Sequence, residues 1–194
     1  MKMIEFLGGG GIPIRPEILL QPNIVKPLHE TNPRTIKGDA WWDSTRKAAY
    51  GSTQFHCLAC GVYKGVAKYH QWLEAHELYD IDVDNCRYTF VEVVPLCHSC
   101  HSFIHSGRLH LLAQKGEIDW SKFRDIMHHG KRLLTMENLN KMDYLMALCG
   151  GVREKFFPEL YGTWGEWRLV MDGVEYTGKF ADYGEWRRHF GRED

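Results

Sequence analysis

Cys57 and Cys60 make one Cys-x-x-Cys pair in this 194-residue chain, and Cys97 and Cys100 make another. A turn with that spacing carries two thiolates to one tetrahedral metal centre, and a second such turn closes it. With all four positions filled by protein, the centre is structural and leaves no place for a substrate water. The fold must therefore bring the two pairs together, and the chain between them must leave and return. A strand hairpin fits that span. A redox role for either pair is the weaker reading, because neither opens a βαβ unit. Met1–Leu7 is too short for a secretory leader and runs into Gly8–Gly11 rather than a cleavage site. No apolar run approaches the ~20 residues of a membrane span. A reducing cytoplasm is expected, where paired cysteines are metal ligands rather than disulfides. Cys86 and Cys149 belong to no pattern and read as packing thiols.

Composition shifts divide the chain into four segments. Residues 1–38 read as an irregular arm, since Gly8–Gly11 and Pro13, Pro16, Pro22, Pro27 and Pro33 deny it long helices or central strands. Leu19, Leu20, Ile24 and Val25 suggest that it packs along a surface. Residues 39–115 hold nearly all the site chemistry. They open with a helix over about 40–50 capped by Asp39, in which Trp42, Arg46 and Ala49 share a face. Next come a knuckle at Cys57–Cys60, a strand over Trp72–Glu77 and a turn at Asp82–Asn85. A second strand over Tyr88–Val94, the second knuckle, and a helix over Cys100–Ser106 stopped by Gly107 complete the segment. Residues 116–159 read as helical, one helix running from Asp119 or Ser121 to Leu134 and another from Thr135 to Leu148, closed by Gly150-Gly151. Residues 160–194 are rich in aromatics and turns, with a hairpin signal at Asp172-Gly173. They are expected to form a small β unit of their own, with Trp164, Trp167, Tyr176, Phe180, Trp186 and Phe190 as its packing or a partner surface; the alternative is that these aromatics simply cover the helices of 119–150.

His101 follows the second knuckle, and His105 comes four residues later. On a helix the two imidazoles share a face, which suits chelation of one ion. A strand–strand–helix unit can bring His76 over them, and three imidazoles leave open positions for phosphate and water. His98, inside the knuckle, reads as a solvated linker residue. His70, His110, His128 and His129 have no constellation and read as surface or packing residues.

These pieces carry a resemblance: Cys57-Leu58-Ala59-Cys60, Leu73-Glu74-Ala75-His76-Glu77, and Val94-Pro95-Leu96-Cys97-His98-Ser99-Cys100-His101 continued by Ser102-Phe103-Ile104-His105. Residues 55–107 resemble the zinc-finger type of HNH nuclease, the ββα-metal or His-Me finger fold. The flank from Asn32-Pro33-Arg34-Thr35 through Trp41-Trp42 resembles small phage-encoded proteins with that domain, so the likeness covers about residues 32–110. It implies an α+β fold: a ββα-metal core with a structural zinc, flanking helices and the small C-terminal β unit. It implies a catalytic divalent ion (Mg²⁺, Mn²⁺, Ni²⁺ or Zn²⁺) on His76, His101 and His105. His76 takes the ligand position and Glu77 the general-base position. A one-residue slip instead makes His76 the base and puts Ala75 at the ligand position. The Asn that ties down the base-bearing loop in that family falls near Glu92 here, so the chain departs from the signature under either placement.

The function implied is metal-dependent hydrolysis of DNA phosphodiester bonds, in the host cytoplasm if the chain is phage-encoded, with Glu77, His76 and His101 as catalytic residues. Arg46, Lys47, Lys64, Lys68 and Arg108 are candidate phosphate contacts. The formal net charge is −1, so no global positive field draws the chain to nucleic acid. The alternative is a catalytically silent module of the same fold, docking to DNA or, through the C-terminal aromatic segment, to a host protein. No membrane partner is expected, and the sequence sets no oligomeric state.

Overall fold

The computed structural model describes residues 12–191. The expectations for Met1–Leu7 and Gly8–Gly11 lie outside the described residues. Within them the chain is α+β, with four strands in one mixed sheet and eight α-helices. In chain order these are α1 (Pro33–Lys37), α2 (Asp39–Ser52), β1 (Glu74–Asp82), β2 (Arg87–Leu96), α3 (His98–Ile104), α4 (Ser106–Gln114), α5 (Trp120–Met136), α6 (Lys141–Leu148), α7 (Pro158–Tyr161), β3 (Arg168–Met171), β4 (Val174–Thr177) and α8 (Tyr183–His189). No helix is long and apolar enough to cross a membrane, among the described residues.

Two compact units emerge, each assembled from separate stretches of sequence. Among the described residues, one comprises 12–22, Thr45–His76 and Val93–Lys141, the other Asn23–Ser44, Glu77–Glu92 and 142–191.

The first unit is built on its helices. Ile18, Leu19 and Leu20 of the 3₁₀ turn Pro16–Leu20 are buried, and that turn packs against α3 and α5. The amide of Arg15 donates to the Leu58 carbonyl at 2.7 Å, tying the arm to the first knuckle. α3 and α5 touch at Gly130, where a Cβ would come within 2.2 Å of the Phe103 ring. Only a bare backbone allows that approach.

The expected helix over Cys100–Ser106 starts earlier, at His98, and ends at Ile104. The chain bends at His105 (φ −87°, ψ 37°), and helix resumes at Ser106 with Gly107 inside α4. The amide of His105 donates to His101 O at 3.2 Å, and that of Leu109 donates to His105 O at 3.1 Å, so i→i−4 bonds continue across the bend. An interior Gly costs a helix about 1 kcal/mol and does not stop one whose hydrogen bonds persist on both sides.

The second unit centres on Tyr88, which is fully buried with Val25, Leu28, Ile81, Val83, Cys86, Trp167 and Leu169. The Tyr88 hydroxyl donates to the Asn23 carbonyl at 3.2 Å, so that this buried polar group is satisfied. The C-terminal hairpin turns at Asp172 (φ 52°) and Gly173 (φ 77°), a pair of positive φ angles that matches strand twist. It does not stand alone as expected. β3 pairs in parallel with β2, Arg87 opposite Arg168 and Thr89 opposite Val170, and so joins the main sheet. Trp167, Phe180 and Trp186 are buried, which makes these three packing residues rather than surface.

Candidate functional site

The first knuckle needs a tight reversal, and Gly61 supplies it. Its amide donates to the Cys57 carbonyl at 2.8 Å with φ at +73°, and Ile14 lies where a side chain would project. The Leu58 amide reaches across to the Pro95 carbonyl at the end of β2, at 2.9 Å, and holds the two knuckles side by side. The sulfurs of Cys57, Cys60, Cys97 and Cys100 all lie within 4.8 Å of one another, with Cys60 and Cys97 3.7 Å apart. All four are free thiols. Such a cluster can hold a metal ion such as zinc. His129, from the middle of α5, places Nε2 3.4 Å from the Cys100 sulfur. Nothing local in the sequence marks His129, because only the packing of α5 on α3 brings it there.

Cys97 is the N-cap of α3, so the thiol cluster fixes the start of the helix that carries His101 and His105. β1 supplies His76. One ring nitrogen from each of His76, His101 and His105 lies within 4.8 Å of the others. The ring centroids are 5.5 Å apart for His76 and His101, 5.2 Å for His76 and His105, and 4.6 Å for His101 and His105. His76 is 4% exposed, and neither ring nitrogen has a hydrogen-bond partner. A buried imidazole with both nitrogens unsatisfied is costly, and a metal ion on one of them would relieve part of that cost.

Burial, then the neighbouring His101 and His105, hold His76 well below its ordinary pKa. Burial, then His101, Arg108 and Lys141, push His105 down to about 4. Both are therefore neutral at pH 7, the form in which histidine binds metals. Lys141 is itself pushed down to about 8 by burial.

Strand alternation adds a residue that sequence reading passed over. Glu74 stands two residues before His76 and so shares its face of β1. His101 donates Nδ1–H to Glu74 Oε2 at 2.6 Å, which leaves Nε2 as the nitrogen free to bind an ion. A carboxylate behind a histidine ligand fixes its tautomer and ring orientation. His98 donates to Glu74 Oε1 at 2.7 Å, so it is a partner of this carboxylate and not the solvated linker residue expected. Burial alone would raise Glu74, but the hydrogen bonds from His101 and His98 outweigh it and hold the carboxyl well below the usual range.

A cavity of about 360 Å³ opens over this group, lined by His70, Glu74, His98, His101 and His105 with Arg108 and Lys122. Of the basic residues expected at phosphate, Arg108 reaches the cavity, Lys68 is paired with Asp125 at 2.6 Å, and Lys64 lies over the Phe55 ring. Lys122 was not singled out by the sequence. Glu77 follows His76 on β1, and alternation turns it to the face of Tyr79. Glu92 is half-buried on β2. Cys86 and Cys149 are buried packing thiols. Comparison with family models, curated proteins and solved structures returned no match for this chain.

Proposed function

We propose that the protein is a metal-dependent phosphodiesterase of the HNH type, a DNA endonuclease with a structural zinc on Cys57, Cys60, Cys97 and Cys100. The observation that carries this reading is the convergence of His76, His101 and His105 beside a cavity that also holds Arg108 and Lys122. His76, His101 and His105 would hold one divalent ion. Such an ion supplies charge stabilisation to a phosphate in the transition state. Arg108 and Lys122 attract and orient the anionic backbone. Glu74 keeps His101 in the tautomer that offers Nε2. Glu77 takes the base position that the resemblance gives it, and His76 takes that position under a one-residue slip. The order β1, β2, knuckle, α3 is the ββα sequence of elements that the resemblance requires.

Plasmid nicking with Mg²⁺, Mn²⁺ and Ni²⁺ tests this. His101→Ala should abolish cleavage while leaving the zinc in place. Glu77→Gln should slow it by about 10²–10⁴-fold, the usual range for a general base. No nicking by the wild-type protein with any of the three ions would overturn the reading. The second reading, a silent module docking to DNA or a host protein, is favoured by one observation, the turn of Glu77 to the face of Tyr79. DNA binding without cleavage, unchanged by His101→Ala, would select it.

A further inference from the structure

His70 and His98 have no part in the reading above, and with Glu74 they form a cluster beside the histidine centre. His70, Glu74 and His98 each bring a ligand atom within 4.8 Å of the other two. Glu74 Oε1 is 2.7 Å from His98 Nδ1 and 3.5 Å from His70 Nδ1. The His70 nitrogen is buried and makes no hydrogen bond. The two imidazoles are held in place before any ion arrives. His70 stacks on Trp72 with ring centroids 4.3 Å apart and 22° between planes. The other nitrogen of His98 is 3.5 Å from the Ser102 hydroxyl, and Tyr69 packs edge-on against the His98 ring. The cluster faces the same cavity as the first centre, so open coordination positions there would be reached by the same ligand.

We propose that His70, Glu74 and His98 form a second divalent-cation centre, joined to the His76–His101–His105 centre through Glu74. One carboxylate oxygen positions His101 and the other binds the second ion. Two imidazoles and one carboxylate make a mixed nitrogen–oxygen donor set. That set suits a transition-metal ion such as Mn²⁺ or Zn²⁺ and not Ca²⁺, which takes an all-oxygen shell. The ion takes the place of the proton that His98 Nδ1 shares with Glu74 Oε1, so binding releases that proton to solvent. The inference deepens the reading of the histidine centre as a cation site, and the count of ions separates the two.

The test is Mn²⁺ binding to the full-length, zinc-loaded protein, followed by the electron paramagnetic resonance signal of free Mn²⁺, with zinc measured by elemental analysis and folding by circular dichroism. The wild type should bind two Mn²⁺ per chain. His105→Ala should lose one and keep the one on His70 and His98. His70→Ala with His98→Ala should lose the other. If that pair disturbs the fold, His70→Asn with His98→Asn serves in its place. Excess Ca²⁺ should leave the second ion bound. A wild type that binds one Mn²⁺, lost with His105→Ala and kept in the His70 and His98 variants, overturns this proposal alone and leaves Glu74 a positioning group. A wild type that binds none overturns both.

Discussion

His76 carries two ring nitrogens into the interior with no partner for either. Leaving buried polar atoms unsatisfied costs roughly 1–3 kcal/mol, so His76 is kept at the expense of the metal-free fold. His76→Leu should therefore raise the thermal midpoint of the zinc-loaded protein in the absence of a further divalent ion, and it should lessen the midpoint rise that Mn²⁺ gives the wild type. Calorimetry on both proteins with and without Mn²⁺ checks this, and a fall in the metal-free midpoint would sink it. His101 and His105 were legible in the sequence because a spacing of four puts both on one helical face. Glu74 was half-legible, since the i, i+2 relation to His76 on a strand was available and unused. His70 and His129 were not legible. Each reaches its site through tertiary packing, which leaves no trace in local spacing.

The helix pair α3 and α5 positions half of the candidate site. The two helices approach closely at Gly130, against the ring of Phe103, and Phe103 is buried. Gly130→Ala has no free space to fill, so it should push α3 away from α5 and destabilise by about 1–3 kcal/mol, the usual range for overpacking. Because His101 and His105 ride on the α3 segment, Mn²⁺ affinity should fall as well. Urea unfolding and a Mn²⁺ titration on this variant measure the two effects, and unchanged values in both would contradict the packing described. The hairpin at Asp172-Gly173 was readable because positive φ at both turn positions demands such residues. The parallel pairing of β3 with β2 was not. A ladder of three residue pairs is too short to impose a pattern on either strand. The helix expected to stop at Gly107 bends at His105 instead, because composition marks a glycine and does not mark a histidine.

Across the whole molecule, the sequence reads as contiguous segments, whereas the compact units are interleaved, each drawing on three stretches of chain. Contacts between distant stretches create such units, and composition along the chain does not report them. In the first unit the proposed zinc carries the organisation of the knuckles. Structural zinc contributes on the order of 10 kcal/mol in small modules, so Cys100→Ser should leave that unit unfolded, and elemental analysis should show one zinc in the wild type and none in the variant. A zinc-free protein with unchanged circular dichroism would contradict it.

In the second unit, burial raises Tyr88 and Tyr79 above the ordinary tyrosine range. Below the unfolded value of about 10 both are neutral in either state, and their contribution to stability is complete. As the pH rises past about 10, the unfolded chain ionises these tyrosines while the folded chain does not, and stability falls. Urea midpoints should therefore drop as the pH rises above about 10, with a shallower drop in Tyr88→Phe. Equal slopes in the two proteins would remove Tyr88 as a cause.

The proposed divalent ion on His76, His101 and His105, distinct from the zinc, is tested most directly by anomalous diffraction from a crystal of the protein grown with Mn²⁺. A manganese peak is expected bonded to one ring nitrogen of each of the three histidines, with the zinc peak separate among the four cysteines. The three imidazoles standing together with no manganese between them, in a crystal whose protein cuts DNA with Mn²⁺, would contradict it.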